Sequence, residues 1–407
     1  MITRRKFLKA GGLTATGLAV GNLPAISSGP AVAAPLSFLT RPYLQHLVPD
    51  AVTVMWIADR LCHNWVEYRA DGQAEDRKAV ATTFGLVESN RRINRIPLRD
   101  LKPATAYHYR TCSQEIVQYG ANSVTFGAII RSDTYTFTTP ARNEQSISAL
   151  IFNDLHDQGD TLIERMIALS AMPRFDFVFF NGDIINHTPD EERILSRMIV
   201  PCANAFASER PLIAVRGNHE TRHQFARHYF DYFYSGDEAA GYFSFVRGPV
   251  FFIALDSGED KEDGHREYSG LAAFDDYREQ EARWLEQQLQ SDDCRKARYC
   301  VVFMHIPPYE SGDWHGVMHC RKLFGSLFRR YGIDMLICGH THVYGVHPPT
   351  DEHPYPLIIG GGRKTSVETI TGNVTVIKLQ ANAQKLNIEI VDCNGISVGS
   401  HSVSPKK

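Results

Sequence analysis

Hydrophobic and polar positions fall into two regimes along the 407-residue chain. Between residues 36 and 140, apolar positions come in short or alternating runs at 51–57, 65–68, 93–98, 107–112 and 134–138, with turn residues between them. Runs of that length and period predict a small all-β sandwich. A polar stretch over 138–145 reads as a linker. From 147 the pattern changes. Apolar runs at 149–152, 175–180, 211–215, 299–304 and 335–338 alternate with stretches of helical spacing at 161–171, 191–207, 277–289 and 322–331. Residues 242–255 predict two strands around Gly248-Pro249, and 356–359, 374–379 and 386–391 close the region in β. Continuous apolar strands alternating with helices predict an α/β domain over 147–395 whose strands are covered on both faces.

The first 33 residues fit neither regime. Arg4, Arg5, Lys6 and Lys9 precede a weakly apolar stretch over 10–20, and Ala31-Val32-Ala33 follows. A charged head, an apolar middle and an A-x-A end are the order of a signal peptide. The paired arginines, with Phe7 and Leu8 behind them, resemble a bacterial twin-arginine signal. The expectation is a periplasmic or secreted protein delivered by the twin-arginine export machinery, with no membrane anchor once residues 1–33 are removed. Removing them takes away four basic residues and no acid, so the net charge moves from −3 to −7. That balance, with no basic stripe, argues against a nucleic-acid partner. The eight cysteines form no C-x-x-C pair. Twin-arginine substrates cross the membrane folded, so the fold should not depend on disulfides. Nothing in the sequence sets the oligomeric state.

The candidate chemistry sits at strand ends. Asn153-Asp154-Leu155-His156, Asn181-Gly182-Asp183, Gly217-Asn218-His219-Glu220, His305 and Gly339-His340-Thr341-His342 each follow a predicted strand. In open α/β sheets, ligands bind beyond the carboxyl ends of the strands. Asp154 and His156 are two apart, as are His340 and His342, so each pair points one way from an extended segment. Carboxylates, an amide and imidazoles thus converge on one edge. Oxygen and nitrogen donors without thiolate suit Fe, Zn or Mn.

The order D-x-H, G-D, G-N-H-E, H, G-H-x-H resembles that of the calcineurin-like metallophosphoesterases over residues 149–344. The helix with Gln280, Trp284 and Leu285 and the stretch His305-Ile306-Pro307-Pro308-Tyr309 resemble the exported branch that includes the purple acid phosphatases. The segment 101–107, ending on Tyr107, looks like the turn and tyrosine corner of a fibronectin type III module, which that branch often carries in front. The resemblance implies a two-sheet β-sandwich flanked by helices, preceded by the small all-β sandwich. It implies two divalent or trivalent metal ions: Asp154, His156 and His342 on the first, Asn218, His305 and His340 on the second, and Asp183 bridging them. His219 would be a non-ligand acid beside the leaving group. The implied reaction is hydrolysis of a small phosphate ester by in-line attack of a metal-bridging hydroxide. A nucleotide-directed hydrolase or phosphodiesterase is an alternative, and a catalytically silent binding protein a remote one.

Two positions depart from the purple acid phosphatases. Their tyrosinate ligand, three residues after the bridging aspartate, is here Asn186. They lack the histidine of the first motif, here His156. The ligand count is kept, and the purple chromophore is not expected. Arg216 and His315 are candidate substrate contacts, with His187 and Trp314 on nearby loops. Glu220 reads as structural, and the charged segment 258–268 as a solvated loop.

Overall fold

The computed structural model describes residues 34–89, 91–236, 241–362 and 373–405. The signal-peptide reading of residues 1–33 lies outside them. Leu36–Lys407 forms one compact unit.

The N-terminal sandwich is built on one long strand, Ala51–Ala70, that serves both of its halves. Residues 52–57 pair with Tyr43–Val48 and Arg91–Leu98, whereas residues 62–70 pair with Ala106–Tyr119 and Arg77–Ala79. The register breaks between Ile57 and Cys62, where the strand changes partners. Trp56, Val54, Val66, Tyr68, Ile96 and Tyr107 fill the space between. The backbone N–H of Lys102 donates to the Tyr107 hydroxyl at 2.8 Å, the bond that defines a tyrosine corner. The sandwich also docks on the larger domain. Tyr43, Met55 and Ile57 join the core around the helices of residues 159–169 and 191–207. The Gln45 and Tyr109 side chains donate to the carbonyls of Leu212 and Ser208. The polar linker is tied down as well, through Glu144 and Arg247 at 3.0 Å.

The larger domain stacks two six-stranded sheets. One runs Leu212–Val215, Phe177–Asn181, Ser146–Phe152, Thr375–Asn382, Leu386–Asp392, Ser397–Val403. The other runs Phe243–Arg247, Val250–Leu255, Tyr299–Met304, Met335–Cys338, Leu357–Ile359, Gly345–His347. Leu212–Val215, Phe177–Asn181 and Ser146–Phe152 of the first sheet run parallel, as do Val250–Leu255, Tyr299–Met304 and Met335–Cys338 of the second, so within each set the carboxyl ends share an edge. Phe179, Phe252, Phe303, Ile337 and Ile377 pack between the sheets, and Phe179 stacks on Phe303 at 4.0 Å. Helices cover both outer faces: 159–169 and 191–207 on the first sheet, Phe274–Leu289 and 315–331 on the second. This explains why Phe177–Asn181, Val250–Leu255, Tyr299–Met304 and Met335–Cys338 are buried throughout.

None of the eight cysteines is in a disulfide among the described residues, and seven are buried. No helix among them is long and apolar enough to cross a membrane.

Candidate metal centre

The five motifs converge where the two sheets meet. Asn181 fixes that meeting: its side-chain amide donates to the carbonyls of Met304 and Ile337, both on the opposite sheet, at 3.2 and 3.1 Å. Past the strand ends the backbone turns sharply. Asp154, His156, Asp183, His340 and His342 all take left-handed φ values, between 46° and 71°. Non-glycine residues pay for that conformation, and such strain gathers at functional sites. It is held by backbone bonds between the first two loops, from Asp154 N to Gly182 O, His156 N to Asp183 O and Asp157 N to Ile184 O. Gly217 is required by proximity, since a Cβ there would lie 2.2 Å from Asp183 Oδ1.

Glu220 supports the same corner. Its buried carboxylate accepts from the backbone N–H groups of Gly217 (2.7 Å), Asp183 (2.9 Å), Ile184 (2.7 Å) and Ile185 (3.0 Å). The structural reading of this residue holds.

Two ligand groups result. Asp154, His156, Asp183 and His342 form one, Asp183, His305 and His340 the other, and Asp183 is shared. His156 Nε2 and His342 Nε2 are 2.8 Å apart. His342 Nε2 is 3.5 Å from Asp154 Oδ1, and His305 Nε2 is 3.1 Å from Asp183 Oδ2. Asn218 Oδ1 joins the second group, 3.1 Å from His340 Nδ1.

Outer hydrogen bonds decide which ring nitrogen each histidine offers. His156 Nδ1 donates to Asn186 Oδ1 at 2.9 Å, while Asn186 Nδ2 donates to Asp157. His305 Nδ1 donates to Asn181 O at 2.9 Å. The Nε2 atoms of both rings are therefore left for the centre. His340 Nε2 lies 3.5 Å from the Asp260 carboxylate, which leaves Nδ1 inward. Such second contacts fix tautomer and orientation in metal-binding histidines. Asn186 thus supports the His156 ring.

The donor set fits two cations. Asp154 and Asp183 are 0% and 1% exposed and adjacent. Burial drives the Asp154 carboxyl well above its usual range, and the Asp183 charge adds to it. Asp183 is held well below its range, despite the same burial, by His305 and His219. Burial pushes His156 and His340 down to about 3, so both rings are neutral and able to ligate. Burial also opposes a charge on His305, but Asp183 lifts it to about 10. His305 Nε2 is buried without an aligned hydrogen-bond partner. A centre that holds carboxylates and inward lone pairs in so little solvent is suited to exchanging protons for metal.

Residues 147–344 match the model of the calcineurin-like phosphoesterases, and residues 41–139 match that of the purple acid phosphatase N-terminal domain. The chain belongs to the calcineurin-like phosphoesterases. It is similar to mouse acid phosphatase type 7, at 25% identity over 83% of this chain and 76% of that protein. It is also similar to the probable purple acid phosphatase 20 of Arabidopsis thaliana, at 23% over 73% and 66%. Among solved structures, the purple acid phosphatase PPD1 of yellow lupin superposes with a TM-score of 0.65 at 17% identity, covering 89% of this chain and 74% of that one. The structure of PhoD superposes at 0.62 and 11% identity, covering 90% of each. The phosphoesterase is accordingly a metal-dependent phosphoric ester hydrolase, with the purple-acid-phosphatase type of N-terminal domain.

Two substrate candidates of the phosphoesterase are engaged within the fold. Arg216 donates to the buried Asp256 at 2.7 Å and lies over the Phe230 ring. His315 is half-exposed and held by Asp275 at 2.8 Å, outside both ligand groups. His219 does stand beside the centre, with Nε2 3.9 Å from Asp183 Oδ2. The start of the 258–268 segment is not solvated: Glu259 is fully buried and Asp260 reaches His340, whereas Glu262, Gly264, Arg266 and Glu267 are exposed. Asp260 and Arg222 escaped the sequence reading because neither stands in a motif. Their roles come from contacts across the fold.

Proposed function

We propose that the phosphoesterase hydrolyses small phosphate esters by in-line displacement at a dinuclear centre of Fe, Zn or Mn. The observation that carries this reading is the sharing of Asp183 by both ligand groups. Asp154, His156 and His342 would hold one ion, Asn218, His305 and His340 the other, with Asp183 between. When bound, the ions supply Lewis-acid polarisation of the phosphoryl group and activation of the attacking water. The chain's own residues do the rest. Asp183 offsets the repulsion between the two cations. Asn218 contributes a neutral oxygen, which preserves their acidity. Asn186, Asn181 and Asp260 orient the ligating rings. His219 is kept beside the centre by its Nδ1 bond to Asn186 O at 2.8 Å and would lie near the leaving group.

We also propose export by the twin-arginine route, on the strength of Arg4-Arg5 and the small-residue end at Ala31-Val32-Ala33. The test of the hydrolytic reading is metal content together with turnover of p-nitrophenyl phosphate and its bis ester. Wild-type protein should hold two ions and turn over at least one substrate, and Asp183→Ala should lose both properties. Full metal and full turnover in Asp183→Ala would overturn the assignment.

A further inference from the structure

The centre is flanked by a buried polar network that the ligand set does not use. Arg222, three residues past His219, places Nη1 at 3.1 Å from His219 Nε2. A guanidinium only donates, so His219 Nε2 accepts. The ring's other nitrogen faces a carbonyl, Asn186 O, and so carries the hydrogen. As arranged, both ring nitrogens of His219 are engaged, Nε2 by Arg222 and Nδ1 by Asn186 O, and neither is turned to a departing oxygen. The positive group at that position is Arg222.

Arg222 is held firmly. Its Nε and Nη2 meet the two oxygens of Glu259 at 3.2 and 3.4 Å, and Glu267 lies 3.4 Å from Nε. Glu259 is itself pinned by Tyr268 at 2.7 Å, Lys261 at 3.2 Å and the Asp260 N–H at 2.9 Å. Burying such a pair costs desolvation that the attraction only partly offsets. Stability alone therefore does not explain it. These bonds use three of the five guanidinium N–H groups. The side chain is 22% exposed; burial opposes its charge, while Glu259, Glu267 and, last, Asp183 favour it.

We propose that Arg222 faces the substrate and stabilises the leaving oxygen, with His219 as the acceptor that aims it. This rests on the hydrolytic reading above. Water oxygen bonds to phosphorus and its proton passes to solvent. The ester P–O bond breaks with its electron pair on the leaving oxygen. Arg222 N–H groups hold that charge until a solvent proton completes the alcohol. A fixed cation at this place acts like an oxyanion-hole donor, whose removal costs about 10²–10³-fold in rate.

The test compares Arg222→Ala and Arg222→Lys with wild type, all at full metal content, on aryl phosphates of graded leaving-group acidity. We expect Arg222→Ala to lose about 10²–10³-fold in kcat on the poorest leaving groups. The loss should be smaller on the best, with partial rescue by added guanidinium. Arg222→Lys, which keeps charge but not the fork, should fall between. A loss equal across all leaving groups without rescue, or a loss under threefold, would overturn the inference. If Arg222→Ala fails to fold, the graded dependence of Arg222→Lys decides alone. A fully metallated but inactive wild type would instead strike the hydrolytic reading.

Discussion

Removing the Glu220 carboxylate tests the claim that backbone geometry, and not the ligands alone, builds the centre. Its Oε2 accepts from Asp183 N and Gly217 N, and its Oε1 from Ile184 N and Ile185 N. Glu220→Gln keeps one oxygen and so leaves two buried N–H groups facing an amide that cannot accept. At about 1–2 kcal/mol for each buried group left unpaired, the lower part of the usual range, the expected loss is about 2–4 kcal/mol. Glu220→Ala orphans all four, and partial entry of water limits the loss to about 3–5 kcal/mol. Both are large against the ~5–15 kcal/mol of a folded domain. Two of the four N–H groups belong to Asp183 and to Gly217, which precedes the ligand Asn218, so metal affinity should fall with stability. The assay is urea unfolding at neutral pH in chelator and again with added metal, alongside metal analysis. Unfolding free energies within about 0.5 kcal/mol of wild type for both variants, the scatter of ordinary surface changes, would refute the reasoning.

Three other outcomes are expected. Iron-loaded protein in air should lack an intense visible phenolate band, because Asn186 occupies the tyrosinate position; a purple preparation would mean that a tyrosine reaches the metal. Glu259 has its carboxyl held below the ordinary 4.5, against burial, by the Asp260 side chain, Arg222 and Tyr268. Its contribution to stability is therefore present above that pH and lost as pH falls through the lower folded value. The deficit of Glu259→Gln against wild type, measured by urea unfolding, should be full at pH 7 and shrink below about pH 4; a constant deficit would contradict the pairing. Replacing Arg4 and Arg5 together with Lys should strand folded enzyme in the cytoplasm, since lysine keeps charge but not guanidinium geometry, and cell fractionation showing normal export would exclude the twin-arginine route.

Much of this was legible in the chain, for an identifiable reason. Strands Tyr299–Met304 and Met335–Cys338 were read to the residue, because a strand buried on both faces is a continuous apolar run with sharp ends. The ligands were legible because each stands directly after such a run. What escaped depends on partners far away in sequence. Tyr43–Val48 and Ser397–Val403 carry no clear alternation and become strands only by pairing. The helix 315–331 begins seven residues before the expected start. Its first turn, with His315 and Gly316, has poor helix formers and is anchored instead by Gly316 N on Asp260 O at 2.7 Å. A Cβ on Gly316 would lie 2.2 Å from Glu259 O. The acidic segment around Glu259 looked solvated for the same reason. Its compensating cations are Lys261 beside it and Arg222 nearly forty residues earlier.

The seam stapled by Asn181 has a further consequence. Asp154, Asp183 and Asn218 hang from one sheet, and His305, His340 and His342 from the other. Ions held by both halves would act as rivets through the domain, so dissociation of the cargo and parting of the layers would become linked events. Shelf life, resistance to proteases and the temperature of collapse should then follow occupancy, and a chelator would destabilise this enzyme as well as inhibit it.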